Sequence, residues 1–224
     1  MEFDTFKAEF KNDFRIEKQL RVPSESEVRE DLVTFAWALF DDAMKEAGPL
    51  TKSVLLEIEP MLRRKKRHVF VDSKIQHFDH LDSPVDSLHW HVDGTPSVEN
   101  EMSKALGHVL LHDMYARMQH KEPPTYFAYQ SWDGCATEFL NGQIDLEIPK
   151  CIPSFSVLDD RLSKLDLKPV QHPPGAIVSF DGWSLHRAVR ACKTGWRLWI
   201  RVKETDHFNS QSKQVPHFFG TTFR

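Results

Sequence analysis

The residues best suited to chemistry stand in His89-Trp90-His91-Val92-Asp93-Gly94, with His186 far downstream. On an extended chain, His91 and Asp93 lie at i and i+2 and share one face. With His186 they offer two imidazoles and one carboxylate. That donor set holds Fe(II) on one side of its octahedron and leaves the other half open. His89 shares the same face if the strand is regular. It stands either as a substrate or ligand-orienting contact or as a replacement for one of the three. Further on, Arg197, Trp199 and Arg201 alternate with Leu198, Ile200 and Val202. A guanidinium on such a strand can pair a carboxylate through two parallel bonds. Taken singly, each residue has a plainer role: His91 and His186 as core or surface histidines, Asp93 as a turn-former before Gly94, Arg197 as an ion-pair partner. Only their joint spacing favours a metal centre.

The stretch HVD, followed by the run GAIVSFDGWSLHRAVRACKTGWRL, resembles the Fe(II)/2-oxoglutarate-dependent dioxygenase superfamily. Its pattern is H-x-D, then a distant histidine, then an arginine roughly ten residues later. The resemblance implies a double-stranded β-helix of the jelly-roll or cupin type. It implies His91, Asp93 and His186 as metal ligands and catalytic centre, with Fe(II), 2-oxoglutarate and O2 as cofactor and co-substrates. The far carboxylate of 2-oxoglutarate then needs a buried cation. Arg197 matches that position, and Arg201 on the same strand face competes with it. Thr137 sits where family members often place an inward residue beside the co-substrate. Either Tyr126 or Tyr129 reaches the same carboxylate, since only one of two neighbouring strand faces points inward. For these three, core packing is the alternative role, as it is for Trp90, Trp183 and Trp199.

The implied reaction is oxidative decarboxylation of 2-oxoglutarate to succinate and CO2, coupled to hydroxylation or demethylation of a substrate. Asp93 is present, which counts against halogenation. Two other readings stand beside this one. A cupin-type metal-dependent isomerase or lyase would want a fuller metal shell, with His89 or another residue as a fourth ligand. A cupin-like binding domain would carry a structural metal or none.

Composition narrows the rest. The 224 residues suit a single domain of 1–224, read as a mainly helical part (1–67), a jelly-roll catalytic core (68–205) and a tail (206–224). A net charge of −4 favours no particular partner. Cys135, Cys151 and Cys192 are odd in number and lack C-x-x-C spacing, which points to reduced thiols in a cytoplasm. The charged N-terminus does not read as a signal peptide, and no apolar run is long enough for a membrane span. A short chain with no appended reader domain favours a small-molecule substrate, such as an amino acid or a natural-product intermediate. The block Arg63-Arg64-Lys65-Lys66-Arg67 reads first as a solvated turn. It keeps a nucleic-acid or protein substrate in view, weakly, because no aromatics interleave it.

The elements that must position these residues read as follows. Phe3, Phe6, Phe10 and Phe14 are spaced by three and four, which predicts a helix over 1–21. Ser24 and Glu27 form a capping box for a second helix, whose apolar period runs from Val28 to Ala43 and stops at Gly48-Pro49. A third helix covers 50–62, with Pro60 near its end. A short strand is predicted at 68–72, then a polar loop over 74–83 carrying His77 and His80. A strand at 88–92 delivers the first ligands, and a helix follows over 99–119. Asp133-Gly134 predicts a hairpin between strands at 125–132 and 135–140. Asn141-Gly142 then leads to a third strand, completing a β-meander. A short helix is predicted near 156–165 and a strand near 168–172. Residues 173–202 form three strands, the second holding His186. Helices first and short strands afterwards suggest an α+β protein, mostly β, with helices packed on one sheet.

Overall fold

The computed structural model describes residues 4–85, 87–93, 123–150, 152, 155–206, 213–216 and 222–223. The helix expected over 99–119 lies outside them. In chain order the elements are β1 (Thr5–Asn12), β2 (Arg15–Gln19), α1 (Glu25–Glu30), β3 (Val33–Ala36), β4 (Ala38–Leu39), α2 (Phe40–Glu46), α3 (Pro49–Ile58) with a 3-10 turn (Glu59–Met61), and β5 (His68–Phe78). There follow β6 (Thr125–Gln130), β7 (Thr137–Phe139), β8 (Gly142–Pro149), α4 (Ser156–Leu162), β9 (Val170–Gln171), β10 (Ala176–Asp181), β11 (His186–Ala188), β12 (Gly195–Thr205) and β13 (Lys213–Pro216). The chain is mostly β, and among the described residues every strand pair is antiparallel.

A six-stranded sheet in the order β2-β10-β6-β12-β5-β4 is the main wall. Strand alternation gives it two unlike faces. On the outer face, Leu198, Ile200 and Val202 from β12 join Val71, Ile75, Phe127, Tyr129 and Ile177 against Val54, Leu55 and Ile58 of α3. The three β12 residues are fully buried, and each such side chain contributes about 1.5–3 kcal/mol. The helices do pack on one sheet, as expected. On the inner face, Tyr126, Ala128, Val178 and Phe180 meet Phe139 from β7. That strand belongs to a smaller sheet, β11-β7-β9. A β1-β8 ribbon carries a further cluster that joins Phe10, Ile144 and Ile148 to Trp90, Trp183, Leu185 and Leu158.

Several expectations are corrected. The helix over 1–21 is instead β1 and β2. Ala8, Phe10 and Asn12 are buried while Lys7, Glu9 and Lys11 are exposed, a period of two. Phe6, Phe10 and Phe14 are four apart, an even spacing that also fits a strand. The capping box at Ser24 and Glu27 is present, but α1 ends at Glu30. Val33-Thr34-Phe35, β-branched and aromatic, goes into β3 rather than continuing the helix. Strand β5 does not stop at Asp72. The polar residues read as a loop are its second half, because their inner face lines a cavity rather than the core. Residues 88–92 form no named strand: His91 makes a single bridge to His186.

The meander is absent too. Strand β6 pairs with β10 and β12, β7 with β11 and β9, and β8 with β1. Asp133-Gly134 therefore carries the chain from one sheet to another. Gly134 is required there because a Cβ would enter the Trp132 ring, and Gly195 meets the same ring from its own strand. Gly142 is a true turn glycine, with φ at +81°.

Candidate metal centre

His91 and His186 come from chain segments far apart, yet they form one antiparallel backbone pair. His91 N donates to His186 O at 3.0 Å, and His186 N donates to His91 O at 3.1 Å. The rings follow, with centroids 4.4 Å apart. Each ring is oriented by its own chain. His91 Nδ1 donates to His89 O at 2.8 Å, and His186 Nδ1 donates to Ser184 O at 2.9 Å. With Nδ1 protonated, each Nε2 keeps a free lone pair. Asp93 completes the group, its Oδ2 lying 3.9 Å from His186 Nε2. One donor atom from each of the three falls within 4.8 Å of the others, a spacing a single ion can bridge.

The surroundings keep the donors in metal-binding form. Burial pushes the Asp93 carboxyl up, but Arg201, His186, His91 and Lys203 outweigh it and hold it at about 2. Burial, reinforced by His91, lowers His186 to about 4 against the pull of Asp93. A carboxylate and neutral imidazoles are the forms that bind a divalent cation. Phe139 and Phe180 pack around the His186 ring at 5.6 Å and 5.3 Å and shield it from water.

Neighbouring elements hold the ligand segments. Asp159 of α4 accepts from Trp90 N at 2.9 Å through Oδ1 and pairs His89 Nδ1 at 2.5 Å through Oδ2. His89 is thereby tied to α4 beside the ligands and does not join the ligand cluster. On the other side, Asn12 Oδ1 accepts from Leu185 N, and Asp181 Oδ1 accepts from Trp183 N and the Ser184 hydroxyl. These bonds set the approach to β11.

The triad opens into a cavity of about 450 Å³. Arg197 and Thr137 line it, together with Asp72, Lys74, His172 and Trp199. Arg201 is committed: Nη1 donates to Asp93 at 2.9 Å and Nη2 to Asp72 at 3.2 Å. Asp72 also accepts from Trp37 N, holding that residue at a φ of 54°. Arg197 differs. It is 3 % exposed, donates to Cys135 O at 2.8 Å and to Gln76 Oε1 at 2.7 Å, and faces no carboxylate among the described residues. Its Nε, like that of Arg201, is buried without a partner.

Tyr129, expected beside the co-substrate, points to the opposite face. It belongs to the outer core under the helices, where burial pushes its phenol up to about 12. Tyr126 is on the inner face but packs flat on Phe180 and does not line the cavity. Trp90 and Trp183 are core residues, whereas Trp199 forms cavity wall.

Sequence reasoning missed Asp72, Lys74, Asp159 and His172. His172 Nε2 donates to Ala176 O at 2.9 Å, and its buried Nδ1 has no partner. The period-two pattern of Asp72, Lys74 and Gln76 against Val71, Ser73 and Ile75 carried the signal for β5.

No protein-family model matches the chain, and no curated protein matches it. Among solved structures, one described as a non-heme monooxygenase, ThoJ–Ni complex, is similar at 11% identity and a TM-score of 0.33, over 88% of this chain and 85% of that one.

Proposed function

We propose that the protein is an Fe(II)- and 2-oxoglutarate-dependent dioxygenase that hydroxylates a small organic substrate. One observation carries this reading beyond a bare metal site: Arg197, a buried guanidinium that faces no carboxylate among the described residues, in the cavity that holds His91, Asp93 and His186. An unpaired buried cation is costly unless an anion joins it. A dicarboxylate with one end at the metal and the other at Arg197 supplies that anion. Two sheets meeting through Phe139 around the site are consistent with a double-stranded β-helix. A cavity of about 450 Å³ suits a small molecule.

The donor set fits Fe(II), with His91 and His186 giving Nε2 and Asp93 a carboxylate oxygen. Bound iron and 2-oxoglutarate supply the oxidation: O2 and 2-oxoglutarate become succinate and CO2 as one oxygen atom enters a substrate C–H bond. The chain's own residues prepare for it. Arg201 keeps Asp93 ionised and turned toward the histidines. The Nδ1 bonds fix both imidazole tautomers. Arg197 fixes the far carboxylate, with the Thr137 hydroxyl beside the same space. Phe139 and Phe180 exclude water from the His186 side. The isomerase or lyase reading wants a fourth ligand from His89 or another residue, and His89 lies outside the cluster of donor atoms that His91, Asp93 and His186 form.

The test is an anaerobic titration with Fe(II) and then 2-oxoglutarate, read by the visible metal-to-ligand charge-transfer band. Wild type should show the band and His186→Ala should not. Arg197→Ala should need about tenfold or more extra 2-oxoglutarate, the loss of a charge-assisted bidentate pair. A folded wild type that binds Fe(II) without developing the band would overturn the reading.

A further inference from the structure

The inner face of β12 and β5 carries more positive charge than the described residues neutralise. Arg201 is matched by Asp72 and Asp93. Arg197 is unmatched, and so is Lys74. Lys74 sits on β5 directly across from Trp199, with Nζ 6.0 Å from that ring's centre and no ion pair among the described residues. It lines the same cavity as Arg197 but is half-buried rather than closed off, as are Trp199 and Trp37 on the same wall. Burial lowers the Lys74 ammonium, and the charges of Arg197 and Arg201 lower it further. Among the described residues, two cations that line this cavity thus lack an ion pair, one at its closed end and one toward the more open aromatic wall. Lys203, on the same face of β12, is buried against Trp37 and Tyr126 outside the lining.

A bound divalent metal adds to this excess. A dicarboxylate offsets the metal's two charges and takes Arg197 as its partner, and it leaves Lys74 unanswered. We infer that the substrate itself carries a carboxylate, held by Lys74, with its flat or apolar body against Trp199 and Trp37. This assignment rests on the function proposed above and adds the class of substrate to it.

The experiment pairs carboxylates with their neutral amides: benzoate and benzamide, phenylacetate and phenylacetamide, indole-3-acetate and indole-3-acetamide. Binding is followed by calorimetry on the Fe(II)-loaded protein under argon with saturating 2-oxoglutarate. The variants are Lys74→Met, Lys74→Arg and, should the first not fold, Lys74→Gln. For at least one pair, wild type should prefer the carboxylate by about tenfold, the scale of one charge-assisted bond. Lys74→Met should lose that preference and Lys74→Arg keep most of it, while 2-oxoglutarate affinity stays within about twofold.

Equal binding of acid and amide in all three pairs overturns the inference, as does a preference that survives in Lys74→Met. A tenfold loss of 2-oxoglutarate affinity in Lys74→Met also overturns it, because Lys74 then serves the co-substrate. If wild type gives no charge-transfer band, the pairs are compared on Fe(II)-loaded Arg197→Met without 2-oxoglutarate. A preference there that Lys74→Met abolishes upholds the carboxylate site while the dioxygenase reading falls. No preference there removes both.

Discussion

Arg201 shows how one residue serves two carboxylates and a candidate metal centre at once. Its two terminal nitrogens divide between Asp93 and Asp72, and Asp72 in turn fixes Trp37 at the cavity wall. Arg201→Met therefore strands two acids together. It should cost about 2–3 kcal/mol of stability, because removing one partner of a buried pair leaves charge uncompensated. It should also let Asp93 rise from about 2, since Arg201 is the foremost influence holding it down. Fe(II) binding should then weaken more steeply as pH falls. Denaturant melts and metal titrations at two pH values check both effects, and an unchanged metal affinity would deny Arg201 its orienting part. His91, Asp93, His186 and Arg197 are legible because the runs around them resemble a known motif, and the structure brings all four to one cavity. Asp72 and Lys74 carry only the alternation of a strand, and Asp159 and His172 stand in no recognisable motif, so their places around the site could not be read.

Strand β12 is the element on which the site turns. Arg197, Trp199 and Arg201 face the cavity while Leu198, Ile200 and Val202 form the outer core. Both faces were legible, because a strand solvated or functional on one side keeps strict alternation. The β1 reading failed for the opposite reason: aromatic spacings of four satisfy both periods. The Asp133-Gly134 reading failed because a turn dipeptide says the chain bends, not which strand it meets next. That glycine offers a direct check. Gly134→Ala drives a methyl into the Trp132 ring and should cost about 1–3 kcal/mol, as overpacking does. Gly142→Ala meets nothing and carries only its left-handed backbone, at about 1–2 kcal/mol. Because Trp132 lies beside Phe78, which packs under Arg197, Gly134→Ala should also raise the 2-oxoglutarate requirement. Gly142→Ala should not. Thermal melts with co-substrate titration separate the two.

At the scale of the whole molecule, buried histidines make stability depend on pH. Burial lowers His172 to about 4, whereas an unfolded histidine titrates near 6.5. Between those values the unfolded chain binds more protons, so stability falls as pH drops through this window. The loss reaches roughly 3 kcal/mol for His172 alone. Metal-free His186 adds a loss of the same sign. Asp93 acts lower: its contribution is present above the ordinary carboxyl range and disappears as pH falls toward about 2. Urea midpoints at pH 7, 5.5 and 4.5 should decline in the metal-free wild type and decline less in His172→Asn. A flat wild-type profile would mean that His172 is not held neutral.

The backbone pairing of His91 with His186 has a further consequence, in chain entropy. The two residues bracket close to a hundred positions, and an ion bound by both would close that loop as a reversible cross-link. Loop closure withdraws freedom chiefly from the unfolded ensemble, and ligand binding adds to it by mass action. Fe(II), or a redox-inert substitute such as Zn(II), should therefore slow amide hydrogen exchange at His91 and His186 together, and slow proteolysis between them. Asp93→Ala should abolish both effects, so a bound ion would double as the clasp that holds the two distant chain segments in register.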